Sequence, residues 1–214
     1  MGFFAKKGRF GQMWKRYKWT WILLAVVVVV AGFLVVNSLG LGKEKLPVIS
    51  TVENFSFENV DGKTVTLDDT KGKVRLFYFF YTSCPDVCPI TTFMLSQTQK
   101  QLIKDGLFNK DVQFVSISFD PKVDTREKIK QFGDKFYVDY NGWYFLRGED
   151  QKIRDIAEKS FKIGIIGDNK DNYSHSNLIA LVDRDNQVRK LYNANDTENV
   201  TAEVLAKDVK DLAK

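Results

Sequence analysis

The 214-residue sequence predicts an α/β protein: a mixed central sheet flanked by helices, with an added N-terminal β-hairpin, behind one N-terminal transmembrane helix. Three observations carry this expectation. An uncharged apolar run fills positions 19–36. A nearly continuous apolar and aromatic run, Val74 to Tyr81, reads as a central strand buried on both faces. Between them and the C-terminus, strand-like and helix-like segments alternate, which asks for a mostly parallel sheet covered on both faces. A closing antiparallel hairpin makes that sheet mixed.

The apolar run comes first in the chain. At about 1.5 Å per residue its 18 positions cover about 27 Å, close to the hydrocarbon thickness of a bilayer. Soluble strands rarely exceed about 10 residues, so a helix is expected over 19–38. Residues 1–18 carry Lys6, Lys7, Arg9, Lys15, Arg16 and Lys18 and no acid. The positive-inside rule keeps this basic tail in the cytoplasm and sends everything after about residue 40 across the membrane. Trp14, Tyr17, Trp19 and Trp21 fit an aromatic belt at the inner interface. The segment Asn37 to Gly40 makes a poor cleavage site, which favours an uncleaved anchor. The short tail lacks the look of a transit peptide, which favours a bacterial membrane over a mitochondrial one. Without its six bases the chain holds 26 bases against 27 acids, a net of −1. The basic surplus is thus a topology signal, and nothing in it points to nucleic acid.

Positions 39–46 read as a linker and 47–214 as one extracytoplasmic domain. Phe55 to Val60 and Thr64 to Leu67 flank Asp61-Gly62-Lys63, a hairpin turn in which Asp-Gly supplies the positive φ angles. The strand 74–81 follows. Ile90 to Lys104 reads as a helix ended by Gly106. Val112 to Ser118 is a second core strand, and Asp124 to Phe136 a helix with Asp124 or Thr125 as N-cap. Trp143 to Leu146 is a third strand and Glu149 to Phe161 a third helix. Leu178–Val182 and Val188–Tyr192 form a second hairpin, and Thr201 caps a last helix.

Chemistry concentrates at three positions. Cys84 and Cys88 are the only cysteines and His175 the only histidine. The cysteines stand where a buried strand hands over to a helix, and active residues gather at the carboxyl ends of parallel strands. Helix N-terminal amides favour the thiolate that ligates metals and does exchange chemistry. A structural disulfide is the plain alternative. It would close a loop of about five residues and stabilise by only about 2 kcal/mol, against about 3 for a 15-residue loop. Two thiolates and one imidazole suit a soft ion such as Cu(I), held in a shallow site at the surface. Asp86, Asp120, Asp124 and Glu127 read as turn and cap residues, and Tyr81 as a core residue able to line the site.

The motif Cys84-Pro-Asp-Val-Cys88-Pro after an aromatic strand resembles the Sco/SenC family. So do Asp120-Pro121 with Asp124-Thr125 after the next strand, and His175-Ser176 before a hairpin strand. The likeness runs over about residues 47–213. It implies a thioredoxin-like fold and a copper metallochaperone that assembles the copper A centre of cytochrome c oxidase subunit II. It carries Cys84, Cys88 and His175 over as ligands of a copper ion, Cu(I) and/or Cu(II). It also implies partners: the oxidase subunit, a copper donor or a thiol reductant protein. Arg126 stands where the family often has proline, and Tyr173-Ser174 replaces the commoner Val-Asp before the histidine, with Asp171 a weak substitute for that acid. Ordinary thiol–disulfide enzymes resemble a Cys-x-x-Cys pair faced by a proline. Here the spacing is Cys-x-x-x-Cys, and none of the four prolines lies near the facing position. A thiol–disulfide reductase that keeps the oxidase's copper-ligand cysteines reduced, with Cys84 and Cys88 as its redox pair, is the alternative function.

Overall fold

The computed structural model describes residues 10–38, 46–167 and 173–214. The linker expectation (39–46) and Asp171 therefore fall almost wholly outside the described residues. The chain divides into two compact units, Met1–Lys45 and Leu46–Lys214.

In the first unit, α1 spans Phe10–Ser38, with a break in helical geometry at Tyr17. Within it, Tyr17–Val35 is long and apolar enough to cross a membrane, with a mean hydropathy of 2.3.

The second unit is an eight-stranded mixed sheet with helices on its faces. Its elements are β1 (Ser50–Thr51), β2 (Ser56–Asn59), β3 (Thr64–Thr66), α2 (Leu67–Thr70), β4 (Val74–Phe80), α3 (Val87–Lys104), β5 (Val112–Ser118) and α4 (Arg126–Asp134). There follow β6 (Trp143–Arg147), α5 (Asp150–Phe161), β7 (Ile165–Ile166), β8 (Ser174–His175), β9 (Leu178–Val182), β10 (Gln187–Asn193) and α6 (Ala202–Ala213). The sheet order is β1-β10-β9-β4-β5-β6-β2-β3, and β7 pairs with β8 apart from it. Strands β4, β5 and β6 are parallel, and β9 enters antiparallel to β4.

Every residue of β4 and β5 is buried, as continuous apolar runs require of strands covered on both faces. The aromatic residues of β4 interlock with both helical layers: Phe77 packs on Phe161 of α5 and Phe80 on Phe132 of α4, with ring centroids 5.0 and 5.3 Å apart. The N-terminal hairpin, β2 and β3, extends the sheet beyond β6, with Gly62 at φ +83 in its turn.

The structure shifts one boundary, chooses between two expected caps and adds four short elements. Helix α3 begins at Val87, not Ile90, because the first turn has no backbone bonds for Pro89 to break. Thr125 alone caps α4, its hydroxyl accepting the Lys128 amide at 3.3 Å. The short elements β1, α2, β7 and β8 were not expected at all.

Candidate functional site

The site is built at the carboxyl ends of β4 and β5. These strands stay in register as far as Phe80 and Ser118, so the loops that follow leave the sheet side by side. Asp124 joins the two loops. Its buried carboxylate accepts the Thr82 amide at 3.0 Å, the Thr82 hydroxyl at 2.5 Å and the Ser118 hydroxyl at 2.5 Å. Three donors on one buried oxyanion satisfy it and fix the approach to the cysteines. Asp124 is thus a buried tie, correcting its reading as a cap.

The Cys84 amide donates to the Tyr81 carbonyl at 3.3 Å, turning the chain toward α3. Asp86 occupies the N-cap position, is exposed, and makes no side-chain capping bond. Cys88 lies in the first helical turn, and its amide donates to Cys84 Sγ at 3.4 Å. The two cysteines are free thiols. A hydrogen bond from the Cys88 thiol, helped by the Asp86 and Cys88 amides and the Tyr81 hydroxyl, holds the Cys84 pKa at about 5 against the effect of burial. The same contact with Cys84, together with burial, pushes Cys88 up. One sulfur is a ready thiolate at neutral pH and the other a retained proton donor. Tyr81 feels the pair in turn: burial and the Cys84 charge push its hydroxyl up to about 12.

The thiols do not form a shallow surface site. Cys84 is 7% exposed and Cys88 0%, because Cys88 turns inward from α3 toward the sheet. Beneath it, the Tyr78 hydroxyl of β4 is buried within reach of Cys88 and Thr91, though no partner among the described residues meets it in good hydrogen-bond geometry. Burial pushes that phenol well up.

His175, described by its backbone, comes to the same end of the sheet. Ile179 pairs with Tyr78, so β9 begins beside the end of β4, and His175 precedes β9 by three residues. Asn177 stitches this segment to the helix carrying Cys88. Its Nδ2 donates to Thr91 Oγ1 at 3.2 Å and to Asn195 Oδ1 at 2.9 Å, while its carbonyl accepts the Ala194 amide at 2.8 Å. A cavity of about 130 Å³ opens here, lined among others by Val87, Ile90, Thr91, Asn177 and Asn195.

Asp120 is more than a turn residue. It is 1% exposed, its carboxyl group accepts the Tyr173 hydroxyl, and its Oδ2 has no partner among the described residues. Burial, then the Asp124 charge, raises its pKa. Glu127 sits in the first turn of α4, as a cap-region acid should. Sequence reasoning missed Tyr78, Tyr173 and Arg154, which donates to the Ile165 and Gly167 carbonyls; their roles depend on contacts that no periodicity or motif announces.

Comparison with known proteins decides the family. The SCO1/SenC family model matches residues 44–212. The chain belongs to the SCO1/SenC family. The SCO1 protein homolog of Bacillus subtilis strain 168 is 35% identical over 180 residues, covering 83% of this chain and 91% of that one. A structure reporting a disulfide switch in BsSco, a member of the Sco family of cytochrome c oxidase assembly proteins, superposes with a TM-score of 0.68 at 33% identity. It covers 80% of this chain and 99% of that one. The structure of Bradyrhizobium japonicum ScoI with copper bound gives a TM-score of 0.62 at 29% identity, covering 76% and 99%. The Sco fold is thioredoxin-like, and the sheet described above is its form in this chain.

Proposed function

We propose that this Sco-family chain is a membrane-anchored copper metallochaperone that assembles the copper A centre of cytochrome c oxidase subunit II. Cys84 and Cys88 as thiolates and His175 as a neutral imidazole take one copper ion as cargo. Residues 1–18 form a cytoplasmic basic tail, 19–38 the anchor, 39–46 a linker, and 47–214 the copper-binding domain on the outer face of a bacterial membrane.

The observation that carries this reading is a convergence. By backbone, the segment that carries the only histidine runs toward the end of the sheet where the only two cysteines stand, with Ile179 paired to Tyr78 and Asn177 bonded to Thr91, and this supports the reading. Thiolate and imidazole donors suit copper. The copper-bound ScoI structure and the oxidase-assembly role of BsSco, both on relatives of this fold, support the cargo and the recipient.

Chemically, Cys84 offers a thiolate at neutral pH, so a metal meets that sulfur first. Cys88 releases its proton as the second thiolate bond forms. Binding therefore liberates protons and weakens as pH falls. Cys84 is the more exposed of the two sulfurs, at 7% against 0%, so it is the one a partner reaches more readily.

The test is a copper titration of the reduced full chain in detergent micelles. One ion per chain is expected, with His175→Ala weakening the affinity by about tenfold or more. Binding well below one ion, or an affinity indifferent to His175→Ala, overturns the reading.

A thiol–disulfide reductase acting on the oxidase's copper-ligand cysteines is the second reading. The unequal pair of thiols favours it, since a low-pKa attacking thiolate beside a protonated partner is what exchange needs. Reductase activity that survives His175→Ala and is lost in Cys84→Ser distinguishes it.

A further inference from the structure

His175 sits in a sparsely paired piece of the domain. Strands β7 and β8 contribute two residues each and, among the described residues, pair only with one another, Ile165 opposite His175 and Ile166 opposite Ser174. A two-stranded ribbon of that length has no independent stability in water. Something else must hold it: Asn177 ties the chain just beyond β8 to α3, and two further side chains grip the strands themselves.

Arg154 of α5 grips the β7 strand. Its Nε donates to Asp150 Oδ1 at 2.7 Å, Nη1 to the Ile165 carbonyl at 2.8 Å, and Nη2 to the Gly167 carbonyl at 2.8 Å. All three faces of the planar fork are used, and the side chain is only 18% exposed. Tyr173 grips the β8 strand. Its ring lies 5.2 Å from that of Tyr81 and 5.1 Å from that of Phe119, and its hydroxyl donates to the buried Asp120. Tyr81 is the residue whose hydroxyl reaches Cys84. The Tyr173 contact thus joins the segment carrying His175 to the wall of the thiol site, while Arg154 fixes the residue paired with His175 itself.

We propose that Tyr173 and Arg154 are positioning residues that hold the His175 backbone at the mouth of the cysteine loop, one gripping each strand of the β7–β8 pair. This rests on the reading of His175 as a copper ligand. Neither residue touches the metal; each acts by fixing where the histidine stands. Partners of this kind, one step removed from a metal, commonly change affinity by about 10–100-fold when removed.

The experiment uses the reduced full chain in detergent micelles, with Tyr173→Ala, Tyr173→Phe, Arg154→Met and Arg154→Lys, each with and without His175→Ala. Amide hydrogen exchange over residues 163–176 is measured without metal. Copper(II) is then added, and affinity by competition and the imidazole nitrogen coupling in the electron paramagnetic resonance spectrum are recorded. Tyr173→Ala and Arg154→Met are expected to speed exchange, weaken copper by about tenfold and lose the nitrogen coupling. Tyr173→Phe, which keeps the ring packing, should fall between them and the parent. Arg154→Lys should rescue little, because a point charge cannot span two carbonyls and a carboxylate. In the His175→Ala background neither variant should weaken copper further. Unchanged exchange, an intact nitrogen coupling, or a weakening that persists without His175 overturns the proposal. If His175→Ala alone leaves copper binding intact, the ligand reading fails, and hydrogen exchange alone then decides whether the two residues hold the segment.

Discussion

The segment that carries the two cysteines, the thiol half of the proposed site, and the segment that carries His175, its imidazole half, are built to different standards. The cysteines hang between a fully buried seven-residue strand and an 18-residue helix, and a buried carboxylate with three donors ties their loop down. The histidine rides a two-residue strand outside the main sheet, held by one arginine fork, one tyrosine and one asparagine. Local stability follows buried contacts and protected backbone bonds, so the two halves should open at different free energies. The thiol half is set by the core of the fold, and the imidazole half by a few side chains that one substitution each can remove.

The largest effect should come from cutting the thiol half loose. Asp124→Ala leaves the Thr82 amide and the buried Ser118 hydroxyl without an acceptor, and should cost about 3 kcal/mol. Urea unfolding measures it, and an unchanged midpoint would show that the loop does not depend on Asp124. The comparison can be sharpened next through the thiols themselves. In the parent, alkylation of Cys84 should switch on as pH rises through about 5. Cys88→Ala removes the leading cause of that low value, so the midpoint should climb toward the ordinary thiol range near about 8.5. The sign is set by the thiolate, which exists above the midpoint; at pH 6 the variant must react more slowly. Equal rates at pH 6 would mean that the helix amides suffice without Cys88. The smallest effect is expected at Tyr78→Phe. The lost hydroxyl makes no well-aligned hydrogen bond among the described residues, so stability should stay within about 1 kcal/mol of the parent or rise slightly. A large loss there would mean that the thiol half relies on its loose contacts with Cys88 and Thr91.

The main architecture was legible because its signals are local. An apolar run reports a doubly covered strand, an Asp-Gly pair reports a turn, and a threonine before an amphipathic stretch reports a cap; β4, the β2–β3 turn and α6 all followed. Placement of the cysteines at a strand–helix junction came from the same signals. The misreadings share one cause. Asp124 looks identical as a cap or as a buried tie, because which donors reach it depends on strand register. Cys88 could not be read as fully buried, since the direction a first-turn side chain takes depends on what lies beneath it. Strands of two residues, β7 and β8, carry no periodicity, and the grips of Arg154 and Tyr173 on them join positions with no sequence pattern in common.

The antiparallel entry of β9 beside β4 has a further consequence, in folding time. Tyr78 and Ile179 are neighbours in the sheet but about a hundred positions apart in the chain. Pairings of such long range close late, after the entropy of the intervening loop has been overcome. A chain made from its N-terminus therefore exposes both cysteines well before the histidine exists to join them. Until the last third of the domain docks, the sulfurs lack both the segment that carries His175 and a completed core above them. That interval is when an oxidant or a stray metal could capture them, and its length is set by the topology of the sheet.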